Sequence, residues 1–223
     1  MIFRLRKLHA MYYDCHTHHP VADVAVVSIC NVRVGIDRVP DNVLCSVGVH
    51  PWDAATVSID GLDAAVGGSN VVALGETGID RACAVPLDVQ LQMFRLHIER
   101  SERLRLPLVI HCVRAFDDVI AERCMSGATM PWIIHGMNKS GDVAARLVAA
   151  GLYVSFGTAL LRMHAPARAA IMQVPDDRLL LETDDIADVR IADVYAAAAT
   201  LRHVSVDDLC LTLQVNFSNV FKR

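Results

Sequence analysis

Val71-Val72-Ala73-Leu74-Gly75-Glu76-Thr77-Gly78 is the stretch on which the fold turns. Its four consecutive apolar residues suit a parallel strand buried on both faces. The run then meets a carboxylate where the strand emerges into a turn. A charge in that position is costly unless it is paired or metal-bound. A solvated turn Glu is the ordinary alternative, but the glycines on either side of Glu76 favour close backbone approach. The same design recurs downstream: Leu108-Val109-Ile110 leads into His111, Trp132-Ile133-Ile134 into His135, and Leu179-Leu180-Leu181-Glu182-Thr183 into Asp184. Upstream, two further strand-like runs end on His16-Thr17-His18 and on His50.

Eight such runs are expected as strands, at 12–16, 24–29, 43–49, 71–75, 108–111, 132–135, 152–156 and 178–182. Helical periodicity separates the later ones. Leu87, Leu91, Phe94, Ile98 and Leu104 form one stripe over 87–104. Further helices are expected over 115–124, 140–150, 165–174, 192–203 and 206–220. Ser205 is a natural cap for the last, with Asp208 three residues on, and Ile191 or Asp193 begins the one before. Pro107 and Gly151 act as stop signals. This alternation predicts an α/β chain folded as a (β/α)8 TIM-type barrel. Only about seven residues separate the first two strand candidates, too few for a crossover helix. The barrel is therefore compact, and abbreviated or irregular between those strands. An open doubly wound sheet is the alternative. No repeat or linker divides the chain, so residues 1–223 are expected to form a single domain. Residues 1–10, with Arg4, Arg6 and Lys7, read as a loose leader, and Met11 is an alternative start.

Hydrophobic residues make up 53% of the 223 and charged residues 21%, which supplies a core and excludes global disorder. The formal net charge of −4 excludes a domain that grips nucleic acid through a broad basic face. It leaves room for a few local phosphate contacts. The seven cysteines are odd in number, scattered, and contain no C-x-x-C, which argues against a disulfide framework or a thiolate zinc site. No stretch has the length of a secretory signal core or a membrane span. A reducing cytoplasm is the expected location.

His16 and His18 stand at i and i+2, so on a strand both imidazoles face one way and can bind one ion. A surface or packing role for the pair stays open. Asp14 shares that face by parity and is expected to orient an imidazole. His111 or His135 alone would read as a core or cap histidine; two apolar strands both ending in His favour ligation. Asp184-Asp185 has a helix entry as its alternative. All of these fall at C-terminal strand ends, where barrel active sites assemble. Four imidazoles and two carboxylates can hold two divalent ions with Glu76 bridging. Nitrogen and oxygen donors without thiolate suit Zn, Mn, Ni or Fe(II), and Mg less readily. Such a pair lowers the pKa of bound water and clamps the oxygens of a displacement at phosphorus or carbonyl carbon.

Asp14-Cys15-His16-Thr17-His18, Gly48-Val49-His50-Pro51, Gly75-Glu76-Thr77-Gly78-Ile79-Asp80, Pro107-Leu108-Val109-Ile110-His111, Ile134-His135-Gly136 and Leu180-Leu181-Glu182-Thr183-Asp184 stand in the order seen in TatD-type metal-dependent hydrolases. The resemblance spans about residues 12 to 220 and places the chain near the amidohydrolase-like barrels. It implies that His16, His18 and Asp184 bind one ion, that His111 and His135 bind the other, and that Glu76 is shared. It also implies DNase or phosphodiesterase chemistry, with Asp184 and Glu76 as the catalytic carboxylates and Asp184 moving the proton of the attacking water. The chain departs from the family's pattern at His19-Pro20, at Arg81, at Gly136-Met137-Asn138-Lys139 and at Asp185-Ile186. The ligand set survives these changes; the substrate-facing loops do not match.

Substrate contacts are expected from His50, which ends a strand while the ion pair is already supplied, and from Arg114 and Lys139, which follow His111 and His135. Trp52 is expected as a packed rim residue, with base stacking as its alternative. His97, His164 and His203 fall in helical stretches and receive no role. The leading function is metal-dependent hydrolysis of phosphodiesters, with DNA as a candidate substrate and a monomer as the working state. An amidase or lactonase is the alternative within enzymes, and a non-catalytic metal- or partner-binding barrel is the alternative outside them.

Overall fold

The computed structural model describes residues 11–222; the expected leader at 1–10 lies outside the described residues. Eight parallel strands follow one another around a sheet in strict chain order. They are β1 (Tyr12–Thr17), β2 (Val26–Arg33), β3 (Leu44–Gly48), β4 (Val71–Asp80), β5 (Leu108–Val113), β6 (Trp132–Ile134), β7 (Tyr153–Phe156) and β8 (Leu179–Leu181). Among the described residues, seven α-helices accompany them: α1 (Asp60–Ala65), α2 (Leu87–Leu104), α3 (Phe116–Ser126), α4 (Gly141–Ala149), α5 (Ala167–Ala170), α6 (Ile191–Arg202) and α7 (Val206–Phe221). Sequential order throughout is the topology of a (β/α)8 barrel; a doubly wound sheet would reverse direction partway.

The barrel is abbreviated where the sequence demanded it. β1 pairs with β2 in parallel although residues 18–25 between them hold no helix. The other end closes through one bridge. Thr17 pairs with Asp184, where the Asp184 N–H donates to the His16 carbonyl at 3.0 Å and the His18 N–H to the Asp184 carbonyl at 3.0 Å.

The core has two layers. Cys15, Ile29, Ala73, Val109, Ile133 and Leu180 come from different strands and fill the barrel, and Phe217 and Phe221 of α7 pack on the same cluster. A larger apolar layer joins the outer strand faces to the helices, with Phe94 of α2 against Trp132 of β6 edge to face at 5.3 Å. Ser205 caps α7 as expected, its hydroxyl accepting the Asp208 N–H, and α6 begins at Ile191.

Three expectations need correction. β4 does not stop at 75: it continues to Asp80, and all ten of its residues are buried. Glu76 is therefore inside a strand rather than in a turn. The glycines make this possible. A Cβ on Gly75 would press into the Val109 carbonyl, and one on Gly78 into the His111 carbonyl, while both backbones stand at positive φ. The β4–β5 ladder shifts register between Leu74 and Thr77, then resumes as far as Asp80 opposite Val113. Likewise β2 starts at Val26 and reaches Arg33. Finally, the helix expected over 165–174 is confined to α5 and a following 3-10 turn. Val174 precedes Pro175 and is extended, as a residue before proline must be. The short α1 had no clear periodic signal.

Candidate metal centre at the mouth of the barrel

The ligand candidates meet at one place because two bulges aim them there. The β1–β2 ladder shifts register between Asp14 and Thr17, and the β4–β5 ladder does so around Glu76. A bulge bends its strand and re-aims the side chains beside it. It also breaks the parity expected to put Asp14 beside His16. The Asp14 carboxylate accepts the Thr183 N–H at 3.0 Å and the Thr183 hydroxyl at 2.7 Å, so it braces the turn that carries Asp184 instead of an imidazole. Burial raises its pKa to about 7 against those hydrogen bonds.

Glu76 divides the histidines by its two oxygens. Oε2 lies 3.4 Å from His18 Nε2 and 3.8 Å from His16 Nε2. Oε1 lies 2.7 Å from His135 Nε2, 3.4 Å from His111 Nδ1 and 3.9 Å from His50 Nε2. Asp184 Oδ1 completes the first side, 3.4 Å from His16 Nε2 and 3.8 Å from His18 Nε2. Among the described residues, three groupings have donor atoms within 4.8 Å of one another: His16 with His18 and Glu76, His16 with His135 and Asp184, and His50 with Glu76 and His111. His135 thus shares the Oε1 side of Glu76 with His111 and also reaches His16 and Asp184.

The residues fit divalent cations on a direct observation. Both ring nitrogens of His16 are buried without a hydrogen-bond partner, as is His135 Nδ1. Buried polar atoms are nearly always satisfied. Here His16 Nε2 faces two carboxylates at distances too long for a charge-assisted hydrogen bond and suited to an intervening ion. The electrostatics agree. Burial pushes Glu76 upward, yet His135 and His16 hold it well below the usual carboxylate range. Burial also opposes ionisation of Asp184, and His16 and His135 bring it down to about 2. His135 is raised to about 10 although burial works the other way, because Glu76, Glu182 and Asp184 surround it. Both carboxylates are thus held ionised by the imidazoles around them, the state in which a carboxylate ligates a cation.

His50 is marked off from the other imidazoles by its hydrogen bond. Its Nδ1 accepts the backbone N–H of Trp52 at 3.2 Å, so the neutral ring carries its proton on Nε2. Burial lowers its pKa to about 3, which keeps it neutral. A protonated Nε2 is a donor and not a metal ligand. Arg114 and Lys139 are exposed and line a neighbouring basic depression with Arg81 and Arg146. They do not line the hollow that holds the histidines. Arg81 is bound bidentately to Asp118, and Arg146 pairs with Asp117.

Several functional partners had no clear sequence signal. Asn31 of β2 donates to Glu76 Oε2 at 2.6 Å and accepts the Glu76 N–H at 2.9 Å, fixing the shared carboxylate at both ends. Asp80 Oδ2 lies 3.3 Å from His111 Nε2 and accepts the Trp52 indole N–H at 2.7 Å. The fully buried Glu182 accepts the Gly136 N–H at 2.5 Å and lies 3.9 Å from His135 Nδ1. His97 accepts the Val49 N–H at 3.1 Å and anchors the strap before His50. For Asn31 the sequence held one hint, a polar residue inside an apolar strand in Ile29-Cys30-Asn31-Val32; Asp80 and Glu182 stood within the motifs quoted above.

Residues 21–222 match the model of the TatD related DNase family. The match begins after His16 and His18, so their place in the site rests on the geometry above. An uncharacterized metal-dependent hydrolase of Escherichia coli K12, YcfH, is 32% identical over 197 residues, covering 81% of this chain and 74% of that protein. The 3'-5' ssDNA/RNA exonuclease TatD of Dickeya dadantii is 32% identical over 159 residues, covering 65% of this chain and 58% of that one. Among solved structures, the E. coli K12 TatD homolog YjjV superposes with a TM-score of 0.83 at 20% identity, over 97% of this chain and 100% of that chain. That likeness shows the fold alone. Together, the matched family and the metal-suited mouth of the barrel make the chain a member of the TatD related DNase family of metal-dependent hydrolases.

Proposed function

We propose that the chain hydrolyses phosphodiesters in nucleic acid with two divalent cations bound at the mouth of the barrel. His16, His18 and Asp184 would hold one, His111 through Nδ1 and His135 through Nε2 the other, and Glu76 would give one oxygen to each. The observation that carries this is the division of the histidines between the two oxygens of Glu76. Zn, Mn, Ni and Fe(II) suit this donor set better than Mg. The bound pair supplies an activated water and neutralises charge on the phosphate.

The chain's own residues supply the rest. Asn31 fixes Glu76, and Asp80 faces the far nitrogen of His111, the arrangement that orients ligating imidazoles. Asp184 takes a proton from water at the mouth; its side chain is 37% exposed against 5% for Glu76, so it is the carboxylate that solvent reaches. The Nε2–H of His50 would donate a hydrogen bond to a phosphate oxygen. Arg114 and Lys139 receive the phosphates flanking the one that is cut. Their Dickeya relative's name, an exonuclease of single-stranded DNA and RNA, supports that substrate class. We further propose that the whole chain acts as one domain and works in a reducing compartment, consistent with seven free thiols. Among the described residues, no helix is long and apolar enough to cross a membrane.

The test is turnover by purified protein reconstituted separately with each of the five metals. Bis-p-nitrophenyl phosphate and single-stranded DNA should be cleaved, a lactone and an amide should not, and Asp184→Asn should abolish cleavage. Carbonyl turnover with no phosphodiester turnover would overturn the reading.

A further inference from the structure

We infer that Trp52 is a stacking platform for a nucleobase beside the phosphodiester that is cut. This rests on the phosphodiester reading above and narrows it to a substrate with an unstacked base beside the bond that is cut.

Trp52 lines the same hollow as His18, His50, Glu76, His111 and Asp184, and 54% of it is exposed. The sequence predicts a packed rim residue, but about half of the residue remains open at the mouth. A single exposed apolar residue is ordinary, but this one lines the hollow that holds the ligand candidates. Here the ring is also held still. Its backbone N–H is bonded to His50 Nδ1 at 3.2 Å, and its indole N–H to Asp80 at 2.7 Å. The next residue, Asp53, accepts from Arg33 Nε at 3.0 Å. The ring meets His50 edge to face at 4.6 Å and His111 at 6.0 Å. Its one polar atom is satisfied, so the open surface is apolar and its orientation is set before a ligand arrives. Such preorganisation removes the ordering cost of binding.

Those contacts place the platform at the reacting centre. Asp80 touches Trp52 and His111 through the same oxygen, and His50 touches Trp52 and faces Glu76. A phosphate seated on the histidines therefore has Trp52 within about one nucleotide's reach. A rigid apolar ring adjacent to a phosphate site fits a base, whose π-face stacks regardless of identity. Inside a duplex both faces of a base are covered by its neighbours, so the base that binds is unstacked at this point.

The molecule carries its own reporter. It has two tryptophans, and Trp132 is fully buried, so fluorescence quenching by an added ligand reports Trp52. The probes are a phosphorothioate dT tetramer and a phosphorothioate tetramer of the same length with abasic sugars, titrated into metal-reconstituted protein. The dT tetramer should quench and bind roughly 5- to 100-fold more tightly than the abasic one, as base–aromatic stacking allows. Trp52→Ala should erase that preference, followed by fluorescence anisotropy of labelled tetramers, and Trp52→Phe should keep most of it. Equal affinity of wild-type protein for the two tetramers, or a preference that survives Trp52→Ala, overturns the platform alone. Binding of neither tetramer overturns it together with the phosphodiester reading.

Discussion

Asp184 and His16 meet twice, bonded through the backbone and facing each other through the side chains. The Asp184 N–H donates to the His16 carbonyl at 3.0 Å, and Asp184 Oδ1 lies 3.4 Å from His16 Nε2. The bridge that closes the barrel is thus built from proposed ligands, so closure and metal binding are coupled. A cation held by both side chains stabilises the seam in proportion to its affinity. Reconstituted protein should melt several degrees above the chelated protein, with a shift that grows with free metal concentration. A melting temperature independent of metal would break that coupling.

Asp14 braces the same seam from behind. Asp14→Ala leaves the Thr183 N–H without its acceptor in a buried place, at a cost of about 1–3 kcal/mol. Thr183→Val leaves Asp14 the bond from the Thr183 N–H at 3.0 Å, so it should cost less than Asp14→Ala. Urea unfolding of the two variants orders the effects; the reverse order would count against the brace.

Asn31 acts on metal through Glu76. Its loss frees a carboxylate held at both ends, and removal of an orienting partner typically lowers metal affinity 10–100-fold. Asn31→Ala should therefore show weaker binding in a competitive chelator titration while keeping its fold by circular dichroism. Unchanged affinity would mean that Glu76 is positioned by strand β4 alone.

Gly78 sets the distance between β4 and β5. At φ 137° it stands where other residues are strained by about 1–3 kcal/mol, and an added Cβ also meets the His111 carbonyl. Gly78→Ala should destabilise by at least about 2 kcal/mol, read by chemical denaturation. It should also weaken metal binding by displacing His111. A tolerated alanine would show that the close approach is not required.

His97 gives the fold an acid-sensitive point outside the metal site. Burial lowers its pKa from 6.5 to about 4, with Arg100 adding to the effect and the Met93 carbonyl opposing it. The unfolded chain therefore binds a proton at a higher pH than the folded one. Stability from the neutral ring is full above pH 6.5 and declines as pH falls toward 4, by about 3 kcal/mol in all. Urea unfolding from pH 7.5 to 4.5 should show a steeper loss for wild type than for His97→Gln. Parallel curves would place the acid sensitivity elsewhere.

Much of this site is legible in the chain because it uses simple periodicities. Apolar runs ending in His111, His135 and Asp184 mark strands and their tips without knowledge of any neighbour. Asp14 was misread because a bulge depends on how β1 pairs with β2, which no single strand records. Asn31, Asp80 and Glu182 act through contacts with residues distant in sequence; Asn31 meets Glu76 across 45 positions. The extension of β4 past Glu76 is a related case. It is decided by what lies beside Gly75 and Gly78 on β5, and local propensity alone reads those glycines as a stop.

The most direct measurement is a crystal structure of reconstituted protein with anomalous diffraction recorded at the edge of the added metal. Two anomalous peaks flanking the Glu76 carboxylate are expected, one against His16, His18 and Asp184 and the other against His111 and His135. The absence of peaks at the barrel mouth, or peaks bound by other residues, would contradict the account.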